Sequence, residues 1–209
     1  MRAPGKLYLA SSNPGKLGEY VVLARDKASD STHHDAAPLA LELLPGFNSL
    51  PAFDEDAPTF AENALGKAMH YSPLTDGLVF ADDSGLVVPA LGGAPGVHSA
   101  RYAGPNATSE QRITKLLREL NGKSGDSRQA YFVCAIALVE RGRPTAVVTA
   151  RVDGEILEAP RGAGGFGYDP AFYFPPLRKT FAELSASEKN EHSHRGKAFR
   201  KLLHILRDR

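Results

Sequence analysis

Two adjacent carboxylates, Asp82 and Asp83, follow the apolar run Leu78–Ala81 and precede Ser84-Gly85-Leu86. The run reads as a buried strand, and buried strands rarely meet paired acids. Such a pair can hold a divalent cation or deprotonate a water. Neighbouring side chains of an extended strand point to opposite faces, so the two acids share one metal only if the chain turns. Ser84-Gly85 permits a turn. The plainer reading is a strand closed by an Asp/Ser/Gly turn.

Five other segments carry candidate chemistry. Ser11-Ser12-Asn13-Pro14-Gly15-Lys16 lies between a short strand and a helix, a layout in which backbone N–H groups and a lysine can cradle a phosphate. It lacks the Gly-x-x-x-x-Gly-Lys spacing of a Walker loop, and an ordinary turn with Ser12 or Asn13 as helix cap also fits. Glu62 stands three residues after Thr59, which a capping box explains, yet a carboxylate at a helix start can also reach a metal. Asn63 and Lys67 share a face of that helix. The small-residue stretch 91–104 contains Arg101, a candidate anion partner, and His98, which reads as structural. Phe166-Gly167-Tyr168-Asp169 sets an aromatic face beside a carboxylate, able to stack a base and accept its ring N–H groups, or simply to pack a tight turn. Lys189, His194 and Arg195 lie in a basic segment at the start of a helix, where cations oppose the macrodipole unless a ligand needs them.

The elements that must position these groups alternate along the chain. Strands are expected at Lys6–Ala10, Leu41–Leu44, Leu78–Ala81, Gln129–Glu140 and Thr145–Val152, the last two joined as a hairpin around Arg141–Pro144. Helices are expected from Pro14 to Ala24, after Thr59, after Thr108 with Gln111 completing a capping box, and over Arg195–Arg207. Residues 25–38 are polar and aperiodic and read as a loop, with His33-His34 solvated. The sum is an α/β fold with a mixed sheet.

Composition narrows the function classes. The 209 residues suit one domain or two closely fused lobes, and 42% apolar content is ample for a core. A net charge of +1 gives no general pull toward nucleic acid or membrane. The one cysteine, Cys134, excludes a disulfide framework and a cysteine-ligated zinc site. With no signal-like stretch and no run of the ~20 apolar residues a membrane span needs, a cytoplasmic protein is expected.

Taken in order, Ser-Ser-Asn-Pro-Gly-Lys, Thr-Phe-x-Glu-Asn-Ala, Ala-Asp-Asp-Ser-Gly-Leu, Gly-Gly-Ala-Pro-Gly-Val-x-Ser-Ala-Arg-Tyr, Gly-Gly-Phe-Gly-Tyr-Asp-Pro and Ser-His-Arg-Gly-Lys-Ala resemble the Ham1/RdgB family of inosine triphosphate pyrophosphatases. The resemblance runs from Lys6 to about Leu206. It implies an elongated two-lobed α/β fold of one domain, a long central mixed sheet flanked by helices, an active-site cleft between the lobes, and a homodimer. It also implies hydrolysis of ITP, dITP and XTP to the monophosphate and pyrophosphate with Mg²⁺. Glu62 and Asp83 would be the metal ligands, with Asp83 also the proton acceptor. Ser11, Ser12, Asn13, Pro14, Gly15 and Lys16 would bind phosphate. Ser84 would contact substrate, Phe166, Gly167, Tyr168 and Asp169 would form part of the base pocket, and Lys189, His194 and Arg195 would complete the nucleotide site. Residues 25–38 are longer and more polar than that pattern. The competing readings are a pyrophosphatase for pyrimidine nucleotides, as in the distantly similar Maf proteins, and a non-catalytic nucleotide sensor.

Overall fold

The strand bearing the acids does not stop at them. In the computed structural model, which describes residues 6–29 and 40–208, β3 runs Leu78–Val87, straight through Asp82, Asp83, Ser84 and Gly85. The expected turn is absent, because both carboxylates find partners on their own faces of the sheet. The other strands are β1 (Leu7–Leu9), β2 (Leu41–Leu43), β4 (Gln129–Glu140), β5 (Arg143–Ile156), β6 (Phe172–Phe174) and β7 (Lys179–Thr180). Their hydrogen-bonded order is β2-β1-β3-β4-β5-β6-β7. β1 pairs parallel with β2 and β3, whereas β6 pairs antiparallel with β5 and β7, so the sheet is mixed as expected.

Among the described residues five α-helices accompany the strands: α1 (Pro14–Ser29), α2 (Phe60–Tyr71), α3 (Ser109–Glu119), α4 (Ala186–His192) and α5 (His194–Arg207). None of the described helices is long and apolar enough to cross a membrane. α1 continues five residues past Ala24, into the stretch expected to be loop. Residues 30–38, including His33-His34, lie outside the described residues. β4 and β5 join through Arg141-Gly142 alone, both at positive φ (48° and 73°), a pairing that matches the twist of adjacent strands.

By contacts the chain forms two units. The first comprises the described residues up to Asp83, with Ala135–Thr149 and those from Gly196 onward. Alternation along β3 builds its two packed faces. Val79 and Ala81 join Ala64 and Ala68 of α2 in one cluster, with Ala135, Ala137 and Val139 of β4. Phe80 packs instead against Tyr20 of α1 at 5.2 Å between ring centroids, and against Phe199 of α5 at 5.8 Å. All three rings are fully buried, and truncating such a ring to alanine costs about 3–5 kcal/mol.

The second unit comprises Ser84–Cys134 and Ala150–Arg195. Its core gathers Leu86 and Val88, Ile113, Leu116 and Leu120, and the rings of Phe132, Phe172 and Phe181. α3 is fixed at both ends. Thr108 and Gln111 form a complete capping box at its start. At its finish the buried guanidinium of Arg128 donates to the carbonyls of Leu120 (3.1 Å) and Lys123 (3.3 Å), and to Ile156 (2.6 Å) and Leu157 (2.7 Å). The bond to Leu120, the C-cap of α3, is to a carbonyl at the helix end, and those to Ile156 and Leu157 tie that end to the close of β5.

Candidate active site

The alternation that packs Phe80 away from Val79 also separates the two acids. Asp83 falls on the α2 face, where Asn63 Nδ2 donates to its Oδ2 at 3.0 Å. Asp82 falls on the α1 face, where Lys16 Nζ stands 3.0 Å from its Oδ2. Both are buried, at 0% and 4% exposure for Asp82 and Asp83. Asn63 is itself fixed, since its Oδ1 accepts from the Ala57 amide at 2.9 Å. Burial first, and the Glu55 charge second, push the Asp83 carboxyl from an ordinary 3.8 up to about 6. Glu55 in turn receives Lys67 Nζ at 2.6 Å. The opposing pull of Glu55, Asp82 and Asp83 outweighs burial and raises the Lys67 ammonium.

Asn13 caps α1, as the turn reading expected. Its Oδ1 accepts from the amides of Gly15 (2.9 Å) and Lys16 (3.2 Å), and Pro14 occupies the first helical position. Ser11 is buried while Ser12, Asn13 and Pro14 are exposed. Glu62 is exposed in the first turn of α2, and its Oε2 accepts from the Thr59 hydroxyl at 2.7 Å. Of the acids whose charge acts on Asp83, Glu55 ranks before Asp82, and no sequence signal marks it.

The second unit assembles a different constellation. Asp169 is 3% exposed and its Oδ2 accepts from Lys189 Nζ at 2.6 Å and from the Phe166 amide at 2.7 Å. Its carboxylate thus closes the 166–169 turn. A Cβ on Gly165 would stand 2.2 Å from that oxygen, so only glycine fits there. The half-buried Phe166 ring has Lys189 Nζ at 4.7 Å from its centroid and the Arg195 guanidinium at 5.5 Å. Arg195 Nη2 donates to Ser84 Oγ at 2.8 Å, one residue beyond Asp83 in the chain. His194 is buried and stacks on Phe132 at 4.7 Å. The Tyr168 hydroxyl donates to the Ser99 carbonyl at 2.9 Å, which ties the aromatic turn to the 91–104 stretch.

Residues 7–205 match the sequence profile of the Ham1 family. The chain belongs to the Ham1 family. It is 49% identical over 197 residues to the dITP/XTP pyrophosphatase of Geobacillus kaustophilus, covering 94% of this chain and 92% of that protein. The same protein from Gloeobacter violaceus is 50% identical over 197 residues, with the same coverage of both chains. The solved structure of a HAM1 protein from Coxiella burnetii superposes with a TM-score of 0.82 at 42% identity, covering 98% of this chain and 99% of that one.

Within this Ham1-family fold the carboxylates supply hard oxygen donors, the type that magnesium and calcium prefer. Asp83, raised partly by the Glu55 charge, is a group that a nearby cation would relieve. Among the described residues no group of three or more His, Cys, Asp and Glu is gathered for a metal. A magnesium ion carried by a nucleotide needs fewer, because it is held by one or two carboxylates together with phosphate oxygens.

Proposed function

We propose that this chain hydrolyses ITP, dITP and XTP to the nucleoside monophosphate and pyrophosphate, clearing deaminated purine nucleotides from the cytoplasmic pool. We also propose Mg²⁺ as its cofactor and a homodimer as its working form. The observation that carries the reading is Asp83, a buried mid-strand carboxylate that accepts from Asn63 and whose pKa burial raises to about 6. The names of its relatives supply the substrate class.

Asp83 takes the role of general base. It accepts a proton from a water whose oxygen bonds to the α-phosphorus as the bond to the β-phosphate bridging oxygen breaks. Pyrophosphate leaves with the electron pair of that bond. A general base contributes about 10²–10⁴-fold, most efficiently when its pKa lies near the working pH. Asp83 and Glu55 would hold the Mg²⁺, which offsets phosphate charge when bound; Glu62 is assigned to capping α2. Lys16, in the turn proposed to bind phosphate, adds positive charge that Asp82 positions.

Phe166 offers the face on which the purine stacks, and Lys189 and Arg195 supply donors. A keto oxygen at C6 accepts such donors, whereas the adenine amino group donates and leaves them unpaired. A buried donor left without a partner costs about 1–3 kcal/mol, or roughly 5- to 150-fold in discrimination.

Pyrophosphate release measured across the common nucleoside triphosphates plus ITP, dITP and XTP, with and without Mg²⁺, tests the reading. Mg²⁺-dependent turnover highest for ITP, dITP and XTP is expected. Preference for dTTP or UTP would instead mark a pyrimidine pyrophosphatase, and binding without turnover would mark a sensor.

A further inference from the structure

The aromatic turn that would receive the base is held partly from outside itself. Gly162, Gly165 and Gly167 hold positive φ (82°, 69° and 65°), and three such residues leave the backbone many alternatives. Its internal ties are the Asp169 carboxylate on the Phe166 amide and the Asp169 amide on the Phe166 carbonyl at 3.3 Å. The Gly167 amide is held from outside, by Ser109 Oγ at 3.2 Å, fifty-eight residues away in the chain.

Ser109 is the first residue of α3, the helix that the Thr108 capping box and Arg128 pin at its two ends. Its hydroxyl is oriented in turn. Arg112 Nη2 donates to Ser109 Oγ at 3.0 Å, while Arg112 Nη1 donates to the Ala100 carbonyl at 2.8 Å. Arg112 thereby joins α3 to the 96–101 segment, which also receives the Tyr168 hydroxyl. A rigid helix start and a rigid turn thus grip Gly167 and Tyr168, the two residues that follow Phe166.

We infer that Ser109, set by Arg112, is a positioning residue for the base-stacking ring of Phe166. This rests on the proposed nucleotide-hydrolase reading. Ser109 touches no reacting group and acts through the Gly167 amide. Without its hydroxyl the turn samples other conformations and must be reordered each time a nucleotide binds, which weakens binding and leaves the chemical step alone.

The test is steady-state pyrophosphate release from dITP with Mg²⁺ by the wild type, Ser109→Ala and Ser109→Thr, with melting temperatures for each. Ser109→Ala is expected to raise KM about threefold to tenfold with kcat within about twofold. Ser109→Thr, which keeps the hydroxyl, is expected to recover most of that loss. If Ser109→Ala fails to fold, Arg112→Lys, which loses the Nη2 donor but keeps the charge, is read the same way. An unchanged KM in the folded variant, or a loss confined to kcat, overturns the inference while the wild type still turns over dITP. A wild type that releases no pyrophosphate from dITP overturns the underlying functional reading instead.

Discussion

Asp83 and Asp169 are buried to the same degree, at 4% and 3% exposure, and are treated in opposite ways. Asp169 has an ammonium at 2.6 Å and a backbone amide at 2.7 Å on one oxygen. Its charge is matched where it is buried, and it holds a turn together. Asp83 has the neutral Asn63 amide at 3.0 Å, and burial with the Glu55 charge outweighs the Lys16 charge, so its pKa rises to about 6. Its ionised form is disfavoured by the fold. In the first situation the fold compensates the charge, and in the second it favours the protonated carboxyl, the property on which the proposed role of Asp83 as base rests. The second costs stability, as active-site groups commonly do.

That contrast breaks most visibly in turnover. Asp83→Asn is expected to lower kcat for dITP by about 10³-fold, read as pyrophosphate release under saturating substrate. Lys189→Met tests the opposite case. Stranding the buried Asp169 charge should cost about 3–5 kcal/mol in denaturant unfolding. Adding Asp169→Asn to Lys189→Met should return much of that stability. Simple additivity of the two changes would mean that the 2.6 Å pair is not coupled.

The stability of Asp83→Asn sharpens the comparison further, in chelator so that no cation intervenes. A folded pKa of about 6 against 3.8 means that the folded state binds the proton more tightly. The wild type therefore has its full stability below pH 4 and loses it as the pH rises through about 6, by roughly 3 kcal/mol in all. Asp83→Asn lacks that loss. It should unfold at higher denaturant than the wild type at pH 8 and at a similar concentration near pH 3.5. A variant less stable than wild type at pH 8 would contradict the burial argument. The smallest effects separate the two glutamates. Glu55→Gln should raise the Mg²⁺ concentration for half-maximal activity about tenfold, roughly 1.4 kcal/mol. Glu62→Gln should leave it unchanged and lower stability by less than about 1 kcal/mol, through its exposed bond to Thr59.

Local signals were legible in the sequence. Thr59 and Thr108 begin helices where their spacing to Glu62 and Gln111 predicts, and the hairpin turns at Arg141-Gly142. Ser185 and Glu188 carry the same signature, and reading it would have found α4. Non-local partners were not legible. Two acids within a strand run against β propensity, and what keeps β3 straight is Asn63 and Lys16, 20 and 66 residues away in sequence. Alternation did foretell that the acids part, with Asp83 on one face and Asp82 on the other. Glu55 escaped notice because its influence on Asp83 is a field with no local pattern. Asp169 reads in the sequence as part of a base pocket, and its bonds to Lys189 and the Phe166 amide appear only in three dimensions.

The division between a chemical acid and a structural one is tested most directly by the calorimetric Kd for dITP with Mg²⁺, measured in Asp83→Asn so that turnover does not intrude. Asp83→Asn should bind dITP, and adding Lys189→Met should weaken it by about 10- to 150-fold, the worth of one charged hydrogen bond. Equal affinity in the two variants, or no binding by Asp83→Asn alone, would contradict the account.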